Sequence, residues 1–310
     1  MIYQCTIAKP ITVQGIGLHS GRTTTMKLRP ATAGTGIIFH RTEGQKTRAI
    51  EAISANVIDT RLATVIGKGD LSVSTIEHFM AALTACHIDN LHVYIDGPEV
   101  PIMDGSAKPF IRAINQAGVS RLHKSRKVIA ISKPITLEEE DKRISIIPSR
   151  FFRMTFDLRY DHPCIGRQQR SVKLTADSIY REIASARTFG FLKEVEYLKS
   201  IGLARGGSLE NAIVIGEESI LNPEGLRYSD EFVRHKILDS VGDFSLIGHP
   251  ILGHIKSHKA GHDMNHKMVE KILASPDCWR FVEFSEADLQ DALRVPLPLF
   301  NQERPALAES

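Results

Sequence analysis

Along the first stretch of the chain apolar and polar positions alternate, as in Thr12-Val13-Gln14 and Met26-Lys27-Leu28, and Gly15, Gly17, Gly21, Gly34 and Gly36 punctuate the pattern. A period of two broken by glycines predicts strands joined by turns. The period then changes. From Ser74 to His87, Ile76, Phe79, Met80, Leu83 and Cys86 recur at helical spacing, after which Leu91, Val93 and Ile95 return to the alternation of a strand. Pro109 to Ala117 predicts a second helix.

Between Gly118 and Lys127 the chain turns polar and basic, with Arg121, Lys124, Arg126 and Lys127, before strand-like segments resume at Val128 to Ile131 and Ile144 to Ile147. A domain boundary is expected there, giving an N-terminal domain over residues 1–123 and a C-terminal domain over 124–288. The second half repeats the order of strands then helices, with helices predicted near Ala176 to Ala186, Asp230 to Ile247 and Asn265 to Leu273. This order predicts an α+β fold of two similar two-layer domains, each packing helices on one face of a mainly antiparallel sheet. The tail over residues 289–310, with Pro296, Pro298 and Pro305, is expected to be irregular.

Composition changes this picture little. The 310 residues are 42% hydrophobic and 24% charged, which suits a globular protein with a sizeable core. Thirty-nine basic and 36 acidic residues leave a formal charge of only +3, so nothing points to a nucleic-acid partner. No window approaches the roughly 20 apolar residues of a membrane span, and the start Met1-Ile2-Tyr3-Gln4-Cys5 lacks a signal peptide's apolar core, so a cytoplasmic protein is expected. Cys5, Cys86, Cys164 and Cys278 lie far apart with no CxxC, and are expected to be reduced, with Cys86 in the core.

Candidate chemistry lies in two clusters. In STIEHFMAAL, starting at Ser74, Glu77 and His78 share the beginning of a helix. Ser74 and Glu77 have the spacing of a capping box, which accounts for Glu77 without any chemistry but leaves His78 unexplained. In EFVRHKILDSVGDF, starting at Glu231, His235, Asp239 and Asp243 recur every fourth residue and share a helix face, opposite Val233, Ile237, Val241 and Phe244. A solvated face with an i,i+4 His/Asp pair is the alternative. Joined, the clusters offer two histidines and one carboxylate to a divalent metal, a fourth position for water, and a spare glutamate as base. The same ligand set suits Zn²⁺ or Fe²⁺.

His254, His258, His262 and His266 are also spaced by four, but Gly253 and Gly261 interrupt any helix and Ile251 to Ser257 reads as extended. His262 then heads a fresh helix, from which it could point into a site, while His258 and His266 fall at the surface. HExxH, HxxEH, a Walker loop, GxGxxG and GxSxG are all absent from the sequence.

These residues resemble the UDP-3-O-acyl-N-acetylglucosamine deacetylases over nearly the whole chain, to about Glu283. STIEHFMAAL, IDN at Ile88 to Asn90, PIMDGSAKPF from Pro101, SARTFGF from Ser185, GLARGGSLENAIVI from Gly202, EFVRHKILDSVGDF, and HKAGH from His258 all look like that family's blocks, in its order. The resemblance implies two α+β domains facing each other across an active site, and hydrolysis of the 2-acetamido group of a 3-O-acylated UDP-glucosamine, committing the product to lipid A. It implies His78, His235 and Asp239 as zinc ligands and Glu77 as general base. It further implies His262 as a second catalytic group oriented by Asp243, and the Thr188 hydroxyl as a partner of the reaction's oxyanion. Lys236, Lys142, Phe191 and Tyr160 match positions near the sugar nucleotide, although Tyr160 stands where phenylalanine is common; Phe189 and Leu18 join the substrate set. The insert from Phe189 to Val214, with Val195, Ala204, Gly207, Ser208, Ala212 and Val214, resembles a passage for the acyl chain, whereas composition alone favours the ordinary packing of a small βαβ unit. A monomer is expected. A zinc-stabilised binding module, or an amidase acting on another acetylated sugar, remains the alternative.

Overall fold

The computed structural model describes residues 3–284. The expected tail over 289–310, and the last four residues assigned to the C-terminal domain, lie outside the described residues. Six helices are described: α1 (Glu77–Ala85), α2 (Lys108–Ala117), α3 (Ala176–Ser178, running into a wider turn over Ile179–Ile183), α4 (Leu192–Ser200), α5 (Glu231–Ser245) and α6 (His262–Leu273).

The first half builds a five-stranded sheet in the order Ile11–Ile16, Thr23–Pro30, Leu91–Ile95, Ile37–Glu43, Lys46–Glu51, antiparallel except where Ile37–Glu43 runs parallel to Leu91–Ile95. Alternation has the anticipated result: Met26 and Leu28 are buried while Lys27 and Arg29 are exposed. On the buried face Phe79 of α1 meets Phe39 of the sheet edge-on at 6.1 Å and Phe110 of α2 at 5.4 Å. Gly15 does not break the first of these strands but lies inside it.

The second half builds a seven-stranded sheet, mainly antiparallel, on which Ile251–His258 is central. Helix α5 packs on Phe152–Arg159 and Arg167–Lys173, and α6 on Ile135–Glu139 and Lys142–Ile147. The chain is therefore a two-domain α+β protein, as its element order requires. The polar, basic stretch expected as a boundary is itself a strand, Val119–Ser125, paired antiparallel with Tyr3–Ile7. Its alternation is hard to read because only the partner strand supplies a buried row, Cys5, Thr6 and Ile7.

The domains meet where α1 lies against α5. A Cβ built on Gly242 would stand 2.0 Å from the Glu77 carbonyl oxygen, so only glycine permits this approach. That contact brings the head of α1 onto the middle of α5. None of the four cysteines is in a disulfide, and Cys86 is buried.

Candidate active site

The turn entering α1 is held open in an unusual way. Thr75 has φ +58°, its hydroxyl donates to Glu99 Oε1 at 3.0 Å, and the buried Glu99 carboxylate also accepts the His19 and Ser20 N–H groups. No capping box forms here: Ser74 Oγ donates to the Pro98 carbonyl at 3.3 Å, and Glu77 Oε2 accepts the Thr64 N–H at 3.1 Å. A capping box does form at α3, where Thr175 and Ser178 exchange bonds of 3.1 and 2.9 Å. Glu77 is thus free of helix capping. It is buried, and burial raises its pKa against the opposing effect of His262 and His78.

His78, from α1, and His235 and Asp239, from α5, present one ligand atom each, all within 4.8 Å of one another. All three side chains are buried, which excludes the solvated-face alternative for α5. His235 Nδ1–H donates to the Ala186 carbonyl at 3.1 Å, so Nε2 carries the lone pair. Burial pulls the pKa of His235 down to about 3, keeping the ring neutral. Asp239 stays ionised: burial works to raise its pKa, but its surroundings, with the Lys236 ammonium bonded to Oδ2, hold it well below the usual carboxylate range.

These groups fit a divalent metal. Asp239 Oδ1 is buried without a hydrogen bond, 3.2 Å from His235 Nε2 and 3.4 Å from His78 Nε2. A carboxylate oxygen facing an imidazole lone pair is repulsive unless a cation lies between them. Donors placed ~2.1 Å from a tetrahedral ion stand roughly 3.4 Å apart, close to both separations.

His262 heads α6, as its position after Gly261 predicts, and Nδ1 lies 2.9 Å from Asp243 Oδ2. Burial lowers the pKa of His262, but Asp243 outweighs it and carries the value up to about 9. Asp243 also accepts the Thr64 hydroxyl at 2.6 Å and the Asn265 amide at 2.8 Å. The four-residue histidine spacing is no ladder: His254 and His258 lie on a strand, and His262 and His266 on α6.

A cavity of about 100 Å³ joins these groups. Leu18, Glu77, His78, Thr188, Phe189, His235, Lys236, Asp239 and His262 line it, and so do His19, Leu62, Ala63 and Thr75, which the sequence did not single out. His19 and Thr75 flank the glutamate-held turn, and only the signal of a buried Glu99 binding both segments would have revealed them. A larger cavity of about 470 Å³ lies at the other end of α1 and α5, near Thr84 and Ser245, and contains no residue of the metal cluster. Its size is therefore no guide to the chemistry.

Thr188 is fixed by its backbone, whose N–H donates to the Gly105 carbonyl and whose carbonyl accepts the Ile213 N–H, both at 2.8 Å. The preceding residue, Arg187, is almost wholly buried and ion-paired to Glu231 at the start of α5, which ties this segment to the helix that carries His235 and Asp239. Lys236 Nζ donates to Asp239 Oδ2 at 3.0 Å and lies 5.5 Å from the Phe189 ring centre. Tyr160 packs against Phe189 and Phe191, at 6.1 and 5.6 Å between ring centres, beside the cavity. Lys142 is exposed at the start of its strand and does not line the cavity. The insert is a βαβ unit: Phe189–Phe191 pairs in parallel with Ile213–Ile215, and α4 connects them. Val195, Ala204, Gly207, Ser208, Ala212 and Val214 stand outside the small cavity, but a Cβ on Gly207 would lie 3.5 Å from Leu18 Cδ1, at its wall.

Two histidines and a carboxylate in a buried cluster, with a second carboxylate on the residue before a ligand, are the equipment of a metal-dependent hydrolase on an α+β scaffold. The chain belongs to the UDP-3-O-acyl N-acetylglycosamine deacetylase family, whose model matches residues 4–274. It is 66% identical over 295 residues to the UDP-3-O-acyl-N-acetylglucosamine deacetylase of Syntrophotalea carbinolica, covering 95% of this chain and 96% of that one. The protein of the same name from Geobacter sp. strain M21 is 55% identical over 298 residues, covering 96% and 98%, and that of Myxococcus xanthus 49% over 287, covering 93% and 91%. This chain is accordingly an enzyme that hydrolyses an amide.

Proposed function

We propose that this enzyme removes the 2-N-acetyl group of UDP-3-O-acyl-N-acetylglucosamine, releasing acetate in the committed step of lipid A synthesis. The observation that carries the reading is the His78, His235 and Asp239 cluster beside Glu77, in a chain of this deacetylase family. We assign Zn²⁺ to the cluster, with Fe²⁺ compatible with the same donors. When bound, such an ion lowers the pKa of water and polarises the acetyl carbonyl.

The chain's own residues divide the remaining work. Glu77, kept out of bulk water, accepts the proton of the attacking water. The Thr188 hydroxyl, on a segment locked at both its N–H and its carbonyl, donates to the oxyanion that develops on the acetyl carbonyl oxygen. His262, held as imidazolium by Asp243, donates from Nε2 to the departing amine or stabilises the charge beside it. Lys236, Lys142, Tyr160, Phe189 and Phe191 receive the sugar nucleotide. Leu18 and the insert residues Val195, Ala204, Gly207, Ser208, Ala212 and Val214 receive the acyl chain. The Gly207 approach to Leu18 supports that path from cavity to insert.

We read the enzyme as a monomer, and a nucleotide-sugar substrate supports work in the cytoplasm. Among the described residues no helix is long and apolar enough to cross a membrane. The test is acetate release from UDP-3-O-acyl-N-acetylglucosamine with parallel metal analysis. Turnover that requires both the acyl chain and one bound metal supports the reading. Equal turnover of other acetylated sugars returns the chain to a general amidase, and metal binding without turnover to a binding module.

A further inference from the structure

Thr64 immediately precedes the strand Val65–Lys68, and it is 2% exposed. Its backbone is fastened to the entry of α1 twice, through its N–H to Glu77 Oε2 at 3.1 Å and through its carbonyl from the Ile76 N–H at 3.4 Å. Its hydroxyl turns the other way. It donates to Asp243 Oδ1 at 2.6 Å, and the same oxygen stands 3.4 Å from His262 Nδ1. One residue therefore touches a carboxylate from α1 and a carboxylate–imidazole pair from α5 and α6.

Each contact selects one oxygen of a two-oxygen group. On Glu77 the Thr64 N–H occupies Oε2, leaving Oε1 for a water proton. On Asp243 the hydroxyl occupies Oδ1, while Oδ2 accepts from His262 Nδ1 and from the Asn265 amide. A buried carboxylate that lost its donor on Oδ1 would be free to rotate toward new partners, and the His262 ring would follow it.

We propose that Thr64 is a positioning residue which holds Glu77 and the Asp243–His262 pair at one mutual geometry, with Glu77 Oε1 and His262 Nε2 turned to the reacting amide. The proposal rests on the deacetylase reading for the roles of Glu77 and His262. Thr64 itself touches no substrate. Its backbone bond sets the base, and its side chain sets the acid.

The two bonds can be separated experimentally, because the backbone bond survives substitution and the hydroxyl bond does not. Thr64→Val keeps shape and N–H but removes the hydroxyl; Thr64→Ser keeps the hydroxyl and removes only a methyl group. Both are assayed for acetate release, metal content and thermal melting beside the unaltered enzyme. If the unaltered enzyme releases no acetate, the deacetylase reading fails rather than the role of Thr64. The expected result is a loss of roughly 10- to 100-fold in kcat for Thr64→Val, with KM and metal content unchanged, and recovery to within about threefold in Thr64→Ser. Independently of activity, ¹⁵N spectra of the metal-stripped protein should show the His262 ring nitrogens shifted in Thr64→Val and restored in Thr64→Ser. A kcat within about twofold of normal in a folded Thr64→Val, or a Thr64→Ser as impaired as Thr64→Val, overturns the proposal. Unmoved His262 resonances in Thr64→Val also overturn it. Should Thr64→Val fail to fold, Thr64→Ser decides: recovery of kcat and of the His262 resonances supports the hydroxyl's role, and their loss overturns it.

Discussion

The seam between α1 and α5 and the insert from Phe189 to Val214 are built on opposite terms. Of the nine residues of α1 all but Thr84 are buried, and so are twelve of the fifteen in α5, whereas no residue of α4 is. The seam gathers the metal cluster and Glu77 by close packing of two helices, down to a backbone contact that needs Gly242. The insert hangs its helix over solvent on a strand pair three residues long. Groups that must meet within a fraction of an ångström lie where packing over-determines position, and a surface that, on the proposed reading, only has to accommodate an acyl chain lies where substitution is cheap.

The contrast is sharpest for chemistry at the seam. Glu77→Gln retains size and the bond from Thr64 but removes the proton acceptor, so turnover should fall by roughly 10²- to 10⁴-fold with metal retained. Steady-state kinetics with metal analysis measures it, and near-normal turnover would reduce Glu77 to a packing residue.

Gly242→Ala probes the seam's geometry instead. The new methyl group would overlap the Glu77 backbone, so α1 and α5 must part, at a cost of about 1–3 kcal/mol in stability and with weaker metal retention. Chemical denaturation and metal analysis report both, and an unaffected variant would show the seam to be softer than its packing indicates.

A smaller effect is expected from pH in the metal-stripped protein. His262 titrates near 9 when folded and near 6.5 in an unstructured chain, so its ionic bond to Asp243 stabilises fully below about pH 6.5 and is lost as pH rises through about 9. Denaturant midpoints measured across that window should decline, and the part due to this pair should vanish in Asp243→Asn. A flat profile would contradict the raised value.

The smallest effect belongs to the insert. A Cβ on Gly207 meets only the Ala204 carbonyl at 3.3 Å and Leu18 at 3.5 Å, and no positive φ demands glycine there. Gly207→Ser should melt within a few degrees of the parent and lower kcat/KM selectively for long acyl chains. Equal losses on long-chain and acyl-free substrates would make the insert purely structural.

Much of this was legible from spacing. A 3.6-residue repeat alone puts His235, Asp239 and Asp243 on one face of α5, and Gly253 and Gly261 alone break the histidine series before His262. Local spacing misled at Ser74 and Glu77, where a capping pattern was present but both side chains had stronger partners elsewhere, at Pro98 and Thr64. At Thr175 and Ser178 the capping box does form, although Ser178 Oγ also donates to the Lys173 carbonyl.

What the sequence determined by itself was most of the helices and strands, their order, and the residue types capable of binding a metal, because hydrophobic period and side-chain chemistry are local properties. The tertiary structure alone decided which oxygen of Glu77 is occupied, why position 242 must be glycine, and that Thr64, His19 and Thr75 belong to the site. The Thr64 bond to Asp243 spans 179 residues of chain, and no local period encodes a contact whose partners are brought together only when two domains close on each other.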